Sequence, residues 1–119
     1  MRVLVADDDA ISRRVATKIL SDLGCEVTAV DGGLAALEAM SLDPPHVLLT
    51  DWVMPDLGGE DLIRMARAQG FQGTIWFACP REGAENREAG LAAGADAPVH
   101  KPFDRDEVAR LLADLTKGG

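Results

Sequence analysis

The chain lacks several features that would define common classes of protein. It has no tyrosine, and its aromatic residues make up only 4% of 119 positions. Two cysteines, Cys25 and Cys79, are too few for a disulfide framework, so we expect a reduced, cytoplasmic protein. No apolar run approaches the ~20 residues that a membrane span requires. Lys and Arg number 12 against 20 Asp and Glu, and the net charge of −8 argues against binding to nucleic acid or to an anionic membrane.

What the sequence does have is a large apolar fraction and many aspartates. The apolar share of 47% is enough to build a core, and the length predicts one domain spanning residues 1–119. Aspartate accounts for 13 of the 20 acidic residues, and Asp7, Asp8 and Asp9 are consecutive. This acidic run is the first candidate for a functional site.

Short apolar runs alternate along the chain with longer amphipathic stretches. The apolar runs predict strands at 3–6, 26–30, 47–50, 74–78 and 97–100. The amphipathic stretches predict helices at 11–23, 32–40, 57–68, 83–93 and 104–115. Connections this short between strands require parallel pairing with right-handed crossovers. We therefore predict an α/β sandwich of five βα units, with a parallel sheet in the order 2-1-3-4-5 and helices on both faces.

Two of these helices carry specific local signals. Ile11, Val15, Ile19 and Leu23 recur every four residues and predict the buried face of the first helix. Asp104 and Glu107 have the spacing of a capping box and predict the start of the last helix, with its buried face running from 108 to 115.

Charged residues follow three of the predicted strands at the point where each strand ends. The run Asp7-Asp8-Asp9 follows the first strand, Asp51 the third and Lys101 the fifth. Ligands of open α/β sheets bind at this edge, and the first and third strands are neighbours in the predicted order. We expect Asp7, Asp8 and Asp51 to converge there on a divalent cation such as Mg²⁺, which prefers carboxylate oxygens. Asp9 is better suited to capping the first helix.

Four segments together resemble the receiver domain of bacterial two-component response regulators. They lie at residues 3–9, 48–55, 94–96 and 101–103, and the resemblance extends over residues 2 to about 116. The family has a flavodoxin-like (βα)5 fold, which agrees with the predicted order of strands and helices.

The resemblance implies a role for each matching residue. Asp51 would be the phosphoacceptor, and Asp8 and Asp51 would bind Mg²⁺ through their carboxylates. Asp7 would bind the metal through water, and the backbone carbonyl of Val53 would be a further ligand. Lys101 would pair with the phosphoryl group, and its bond to the following proline would be cis. The protein would accept and lose the phosphoryl group by its own catalysis but would not be an enzyme for another substrate.

Three positions depart from the family pattern. Cys79 stands where Thr or Ser usually binds a phosphoryl oxygen, and a thiol is a weaker donor. Pro80 replaces a residue whose backbone N–H usually contacts the same group, and proline has no such N–H. Pro98 replaces the usual Tyr or Phe of the fifth strand. The switch that follows phosphorylation is therefore expected to be altered. We also expect nearby carboxylates to raise the pKa of Cys79, with Lys101 opposing, and to leave the thiol inert.

Two functions remain open. The first is a receiver that takes a phosphoryl group from a sensor histidine kinase or a histidine phosphotransfer protein. Its output would be contact with a protein partner through the fourth helix, fifth strand and fifth helix. The second is a pseudo-receiver that binds proteins without phosphorylation, which the three altered positions favour. A haloacid-type phosphatase would need a second acid at Val53, and a flavin site would need a Ser/Thr/Gly-rich loop in place of Asp7-Asp8-Asp9.

Overall fold

Five strands alternate with five helices in a computed structural model, which describes residues 1–80 and 84–117. The strands are β1 (Arg2–Ala6), β2 (Glu26–Val30), β3 (Val47–Asp51), β4 (Thr74–Pro80) and β5 (Ala97–Lys101). The helices are α1 (Ala10–Asp22), α2 (Gly33–Leu42), α3 (Gly59–Ala68), α4 (Ala84–Ala93) and α5 (Arg105–Lys117). In the described part of the chain, none of these helices is long and apolar enough to cross a membrane.

All five strands pair in parallel in one sheet, in the order β2-β1-β3-β4-β5. The predicted fold and strand order are confirmed. Each helix returns the chain to the end of the sheet where the strands begin. The carboxyl ends of all five strands therefore meet at the opposite end, where the polar residues lie.

The core forms two layers, one on each face of the sheet. Leu4 and Ala6 of β1 pack with buried residues of α2 and α3, whereas Val3 and Val5 pack with α1 and α5. Successive residues of a strand point to opposite faces, so each strand contributes to both layers. This explains the continuous apolar runs of central strands such as β1 and β3, since neither of their faces is left to water.

The predicted buried face of α1 is partly wrong. Ile11 is 72% exposed and Val15 is 40% exposed, whereas Ala16 and Leu20 are buried against the sheet. Ile19 packs at the edge of the buried stripe. Apolar residues recur on two adjacent stripes of this helix, and the stripe containing the small Ala16 allows the closer approach to the sheet.

The third helix begins two residues later than predicted. Leu57 belongs to the preceding loop and the helix starts at Gly59, where an added Cβ would lie 2.2 Å from the carbonyl oxygen of Asp51. This close approach packs the start of α3 against the end of β3. Its predicted inward residues Leu62 and Ile63 are buried. Gly83, the predicted start of the fourth helix, lies outside the described residues, and α4 is described from Ala84.

The capping role predicted for Glu107 is also wrong. Its two carboxylate oxygens accept from His100 of β5, at 2.8 Å from the backbone nitrogen and 2.6 Å from Nδ1. Since β5 is an edge strand, this contact supplies an acceptor to a backbone N–H that the sheet leaves available. The buried face predicted for α5 is correct: Val108 is buried, and three leucines pack beside it.

Candidate phosphoacceptor and metal site

The ends of β1 and β3 bring three carboxylates together. Ala6 pairs with Thr50 in the sheet, so the residues that follow, Asp7 and Asp51, lie side by side. Oxygens of Asp7, Asp8 and Asp51 all lie within 4.8 Å of one another. Asp7 is buried, Asp51 is half-buried and Asp8 is exposed, so the cluster reaches from the interior to solvent.

Lys101 joins this cluster from the end of β5. Its Nζ lies 2.9 Å from Oδ2 of Asp7 and 3.2 Å from Oδ2 of Asp51. Burial lowers the pKa of Lys101, but the hydrogen bond that its ammonium donates to Asp7 and the charge of Asp51 outweigh this effect, and the net shift is upward. The peptide bond between Lys101 and Pro102 is cis, as the family resemblance implies.

The backbone also fixes the carboxylates of Asp7 and Asp51. Oδ1 of Asp7 accepts from the backbone nitrogen of Asp9 at 2.9 Å, and Oδ1 of Asp51 accepts from that of Trp52 at 2.8 Å. Each of these oxygens is thus held by an N–H while Oδ2 faces Lys101. Burial raises the pKa of Asp51; Lys101 opposes the shift and the charge of Asp7 adds to it.

The donor set fits a small, hard divalent cation. Carboxylate oxygens are the ligands that Mg²⁺ prefers, and it binds proteins through few ligands while keeping several waters. The pKa of Asp51 is raised mainly by burial, so the ionised carboxylate is incompletely solvated, and the three carboxylates share a single ammonium, that of Lys101. A site with residual negative charge and an exposed member, Asp8, is suited to accept a cation from solvent.

Asp9 lies outside the cluster and caps α1, as predicted. Its Oδ2 accepts from the backbone nitrogen of Ser12 at 3.2 Å and from the Ser12 hydroxyl at 2.8 Å. These bonds, led by that from the hydroxyl, lower the pKa of Asp9.

Two contacts beside the cluster were missed in the sequence. Arg13 donates from Nη1 to the carbonyl oxygen of Asp7 at 2.9 Å and brings a second cation close to the acidic edge. The available signal was its place in the first turn of α1, directly after the acidic run. Asp56, in the loop after Asp51, binds the start of α2, and no local pattern pointed to that contact.

The three atypical positions lie on the neighbouring strands β4 and β5. Cys79 is buried in the layer that packs against α2 and α3, and Pro80 ends β4 opposite Lys101. Pro98 is half-buried in the edge strand β5, opposite Phe77. An edge strand is where a sheet tolerates proline.

The expected cause of the raised pKa of Cys79 was wrong. Burial is the main cause that raises the pKa of the thiol; the charge of Arg87 opposes the shift and that of Glu107 adds to it. The charges acting on the thiol therefore come from α4 and α5 rather than from the acidic cluster and Lys101. A buried, protonated thiol is a poor nucleophile.

Comparison with known proteins identifies the family. The family model described as the response regulator receiver domain matches residues 3–113. The chain belongs to this family. The response regulator MprA of Mycobacterium leprae (strain TN) is 37% identical over 118 residues, which cover 98% of this chain and 52% of that protein. MprA of Mycobacterium avium (strain 104) shows the same identity and coverage. The receiver chain thus spans about half the length of these curated relatives.

Solved structures agree with the family assignment. The receiver domain of the Francisella response regulator 1452 has a TM-score of 0.86 and 32% identity, with 98% of this receiver and 96% of that chain covered. The receiver domain of the sensor histidine kinase PA1611 from Pseudomonas aeruginosa PAO1 has a TM-score of 0.85 and 29% identity, with 93% of each chain covered. That structure contains a magnesium ion in its active site cleft.

Proposed function

We propose that this receiver domain accepts a phosphoryl group on Asp51 in a Mg²⁺-dependent reaction. The observation that carries the proposal is the convergence of three carboxylates within 4.8 Å, two of them paired with the Lys101 ammonium. A nucleophilic carboxylate must approach a phosphoryl group of like charge, so the site has to supply positive charge. Lys101 brings one such charge.

Each residue has a role in the proposed reaction. Asp51 attacks the phosphorus of a phosphohistidine; an acyl phosphate forms on its carboxylate as the P–N bond of the donor breaks and the imidazole leaves. Asp8 and Asp51 would hold the cation through their carboxylates, Asp7 through water and Val53 through its backbone carbonyl. When bound, Mg²⁺ would neutralise charge on the phosphoryl oxygens. Trp52 holds Oδ1 of Asp51 through its backbone N–H, which orients the carboxylate. Lys101, which pairs with Asp51 at 3.2 Å, is placed to donate to an oxygen of the incoming phosphoryl group.

Removing the Asp8 carboxylate is expected to raise the Mg²⁺ concentration that phosphorylation needs. In the Asp8→Asn variant, the half-saturating Mg²⁺ concentration for labelling by a small acyl phosphate should rise about tenfold or more, because a charged ligand is lost. Asp9→Asn removes the same charge one residue away and keeps the helix cap. It should shift the requirement less than about threefold, and equal shifts in the two variants would contradict the assignment of Asp8.

We propose that the response of this receiver to phosphorylation does not use a Thr-and-Tyr switch. Cys79 and Pro80 replace the hydroxyl and the amide, and Pro98 replaces the ring. Another set of contacts connects the site to α4. The ring of Trp52 lies 5.5 Å from that of Phe77, and a Cβ on Gly90 of α4 would lie 2.4 Å from Phe77. The test is the displacement of α4 when a phosphate mimic such as beryllofluoride binds. A displacement as large as in an ordinary receiver would contradict an altered switch.

The phosphodonor in this proposal is a phosphohistidine on a sensor histidine kinase or a phosphotransfer protein. Such a partner must contact the surface around Asp51. Ile11, exposed at 72%, lies in the first turn of the helix that follows the acidic run, and Val15 lies one turn further. Exposed apolar residues beside a site are suited to a protein partner.

Ile11→Asp is expected to separate the two kinds of donor. Transfer from a phosphohistidine protein should slow more than tenfold, because the apolar contact is lost. Labelling by a small acyl phosphate should change less than about twofold, since that donor needs no protein surface. Equal effects on both donors would show that Ile11 acts on the site itself rather than on docking.

The proposed output is contact with a second protein through the face of α4, β5 and α5. Leu91 of α4 is 44% exposed and offers apolar surface there. The net charge of −8 disfavours direct contact of this segment with nucleic acid. The alternative, a phosphorylation-independent pseudo-receiver, is favoured by Cys79, Pro80 and Pro98. The acidic cluster opposes it, because three carboxylates that share only the Lys101 ammonium keep a net negative charge unless a metal cation binds.

A further inference from the structure

The start of α2 is capped by a residue from a distant part of the chain. Its N-cap position is Gly32, which has no side chain to accept a bond. The carboxylate of Asp56 takes this role: Oδ1 accepts from the backbone nitrogen of Gly33 and Oδ2 from that of Leu34, each at 3.1 Å. Oδ1 also accepts from the backbone nitrogen of Leu57 at 2.7 Å. One side chain thus ties the amide end of α2 to the loop between β3 and α3.

Two glycines make room for this contact. A Cβ on Gly32 would lie 2.7 Å from Oδ2 of Asp56, and a Cβ on Gly33 would lie 2.5 Å from the carbonyl oxygen of Leu57. The backbone of Gly32 is extended, with φ −173°, so the requirement is for space rather than for an unusual conformation. The Gly32-Gly33 pair therefore adapts α2 to receive the loop.

The same loop carries Val53, whose carbonyl is a ligand in the proposed function. The Val53 side chain is 73% exposed and cannot anchor the loop. The contacts that hold it are the buried Met54, the Asp56 carboxylate, and a 2.9 Å hydrogen bond from the backbone nitrogen of Gly59 to the carbonyl of Trp52. Asp56 provides the link from this loop to α2.

We propose that Asp56 is a positioning residue for the divalent cation, which it serves by holding the Val53 carbonyl beside Asp51. The inference rests on the proposed function, because it needs a cation at the acidic cluster. Asp56 itself acts through the backbone and not as a ligand. The hydrogen bonds, first that from Leu34, lower the pKa of Asp56, so it stays ionised as an acceptor at neutral pH.

The test is a Mg²⁺ titration of the intact chain at high KCl, in which the fluorescence of Trp52 reports binding. Asp56→Ala should raise the Mg²⁺ dissociation constant about tenfold, the usual effect of losing a residue that orients a ligand. Asp56→Asn keeps the acceptor for Gly33 and Leu57 and should stay within about threefold of wild type. Gly33→Ala displaces the loop without changing any charge and should weaken binding as Asp56→Ala does.

The matched control is Asp43→Ala, which removes a carboxylate at the other end of α2, where it pairs with Arg2 at 2.7 Å. It should change the dissociation constant less than about twofold. If Asp56→Asn binds Mg²⁺ as weakly as Asp56→Ala, the negative charge of Asp56 rather than its hydrogen bonds supports binding. That result would overturn the inference.

Amide hydrogen exchange without metal provides the second readout. The amides of Gly33 and Leu34 should exchange faster in Asp56→Ala than in wild type. Faster exchange with unchanged Mg²⁺ affinity would overturn the positioning role while leaving the proposed function intact. Absence of Mg²⁺ binding to the wild type would overturn the proposed function and the inference together.

Discussion

Replacing Arg67 by alanine is expected to lower the free energy of unfolding by about 3 kcal/mol. Its guanidinium donates to the carbonyls of Gly94 at 2.9 Å, Phe71 at 2.9 Å and Gly73 at 2.8 Å, and to Oδ2 of Asp96 at 3.0 Å. Bonds to a charged donor contribute about 1.5–3 kcal/mol each but do not add fully. Arg67 is 26% exposed, so water replaces part of what is lost.

The reason for so large an effect is that Arg67 joins three segments. It connects the end of α3, the loop before β4 and the turn between α4 and β5. Asp96 continues the network, since its Oδ2 also accepts from the backbone nitrogen of Ile75 in β4 at 2.8 Å. The Gly94-Ala95-Asp96 segment that resembles the family motif thus has a structural role here.

Urea unfolding measures the loss, with Arg64→Ala as the matched control. Arg64 lies on the same helix and pairs with Glu60 at 3.0 Å, with both side chains exposed to solvent. An exposed pair of this kind contributes about 0.5 kcal/mol or less. A loss below about 1 kcal/mol for Arg67→Ala would contradict the account of the network.

Replacing Lys101 by alanine is expected to destabilise the metal-free protein by about 3 kcal/mol, the cost of removing one partner from a buried pair. Asp7 is 2% exposed and would lose the ammonium 2.9 Å from its Oδ2. Mg²⁺ should restore most of the loss, because the cation supplies the missing charge. Thermal unfolding with Mg²⁺ and with EDTA measures both effects. Lys18→Ala, which breaks only an exposed pair with Asp22, should have little effect in either condition.

Asp51→Asn should stabilise the metal-free protein, whereas Lys101→Ala destabilises it. The pKa of Asp51 is raised in the folded state, so its ionisation destabilises the fold, and that cost is present once the pH is above the folded pKa. At neutral pH the variant should therefore unfold a few degrees higher than wild type in EDTA. The raised pKa of Lys101 means that its own stabilisation is fully present at neutral pH and is lost only as the pH rises through that raised value. A lower unfolding temperature for Asp51→Asn in EDTA would contradict the assigned cost of burying the ionised carboxylate.

The strands and their order could be predicted because they depend on simple constraints. Continuous apolar runs such as 47–50 indicate a sheet buried on both faces, and short connections leave little choice of topology. The approach of Asp7, Asp51 and Lys101 followed from that order, since all three end strands at one edge. Their chemical roles remain predictions.

The contacts that could not be predicted depend on backbone groups far away in the sequence. Arg67 binds the carbonyl of Gly94, and Asp56 binds the amides of α2, and neither partner is visible in a local pattern. Glu107 has the spacing of a capping residue but bonds to His100 instead, because a tertiary partner competed successfully with the local one. The exposure of Ile11 shows that helical spacing alone does not choose between two adjacent apolar stripes.

The most direct test of the account is the mass of the intact protein after incubation with a small acyl phosphate and Mg²⁺. The wild type should gain the mass of one phosphoryl group, and fragmentation should place it on Asp51. The gain should be absent in EDTA and in Asp51→Asn. If the wild type remains unmodified by both the small donor and a phosphohistidine partner, or if Asp51→Asn gains the same mass, the proposed function is wrong.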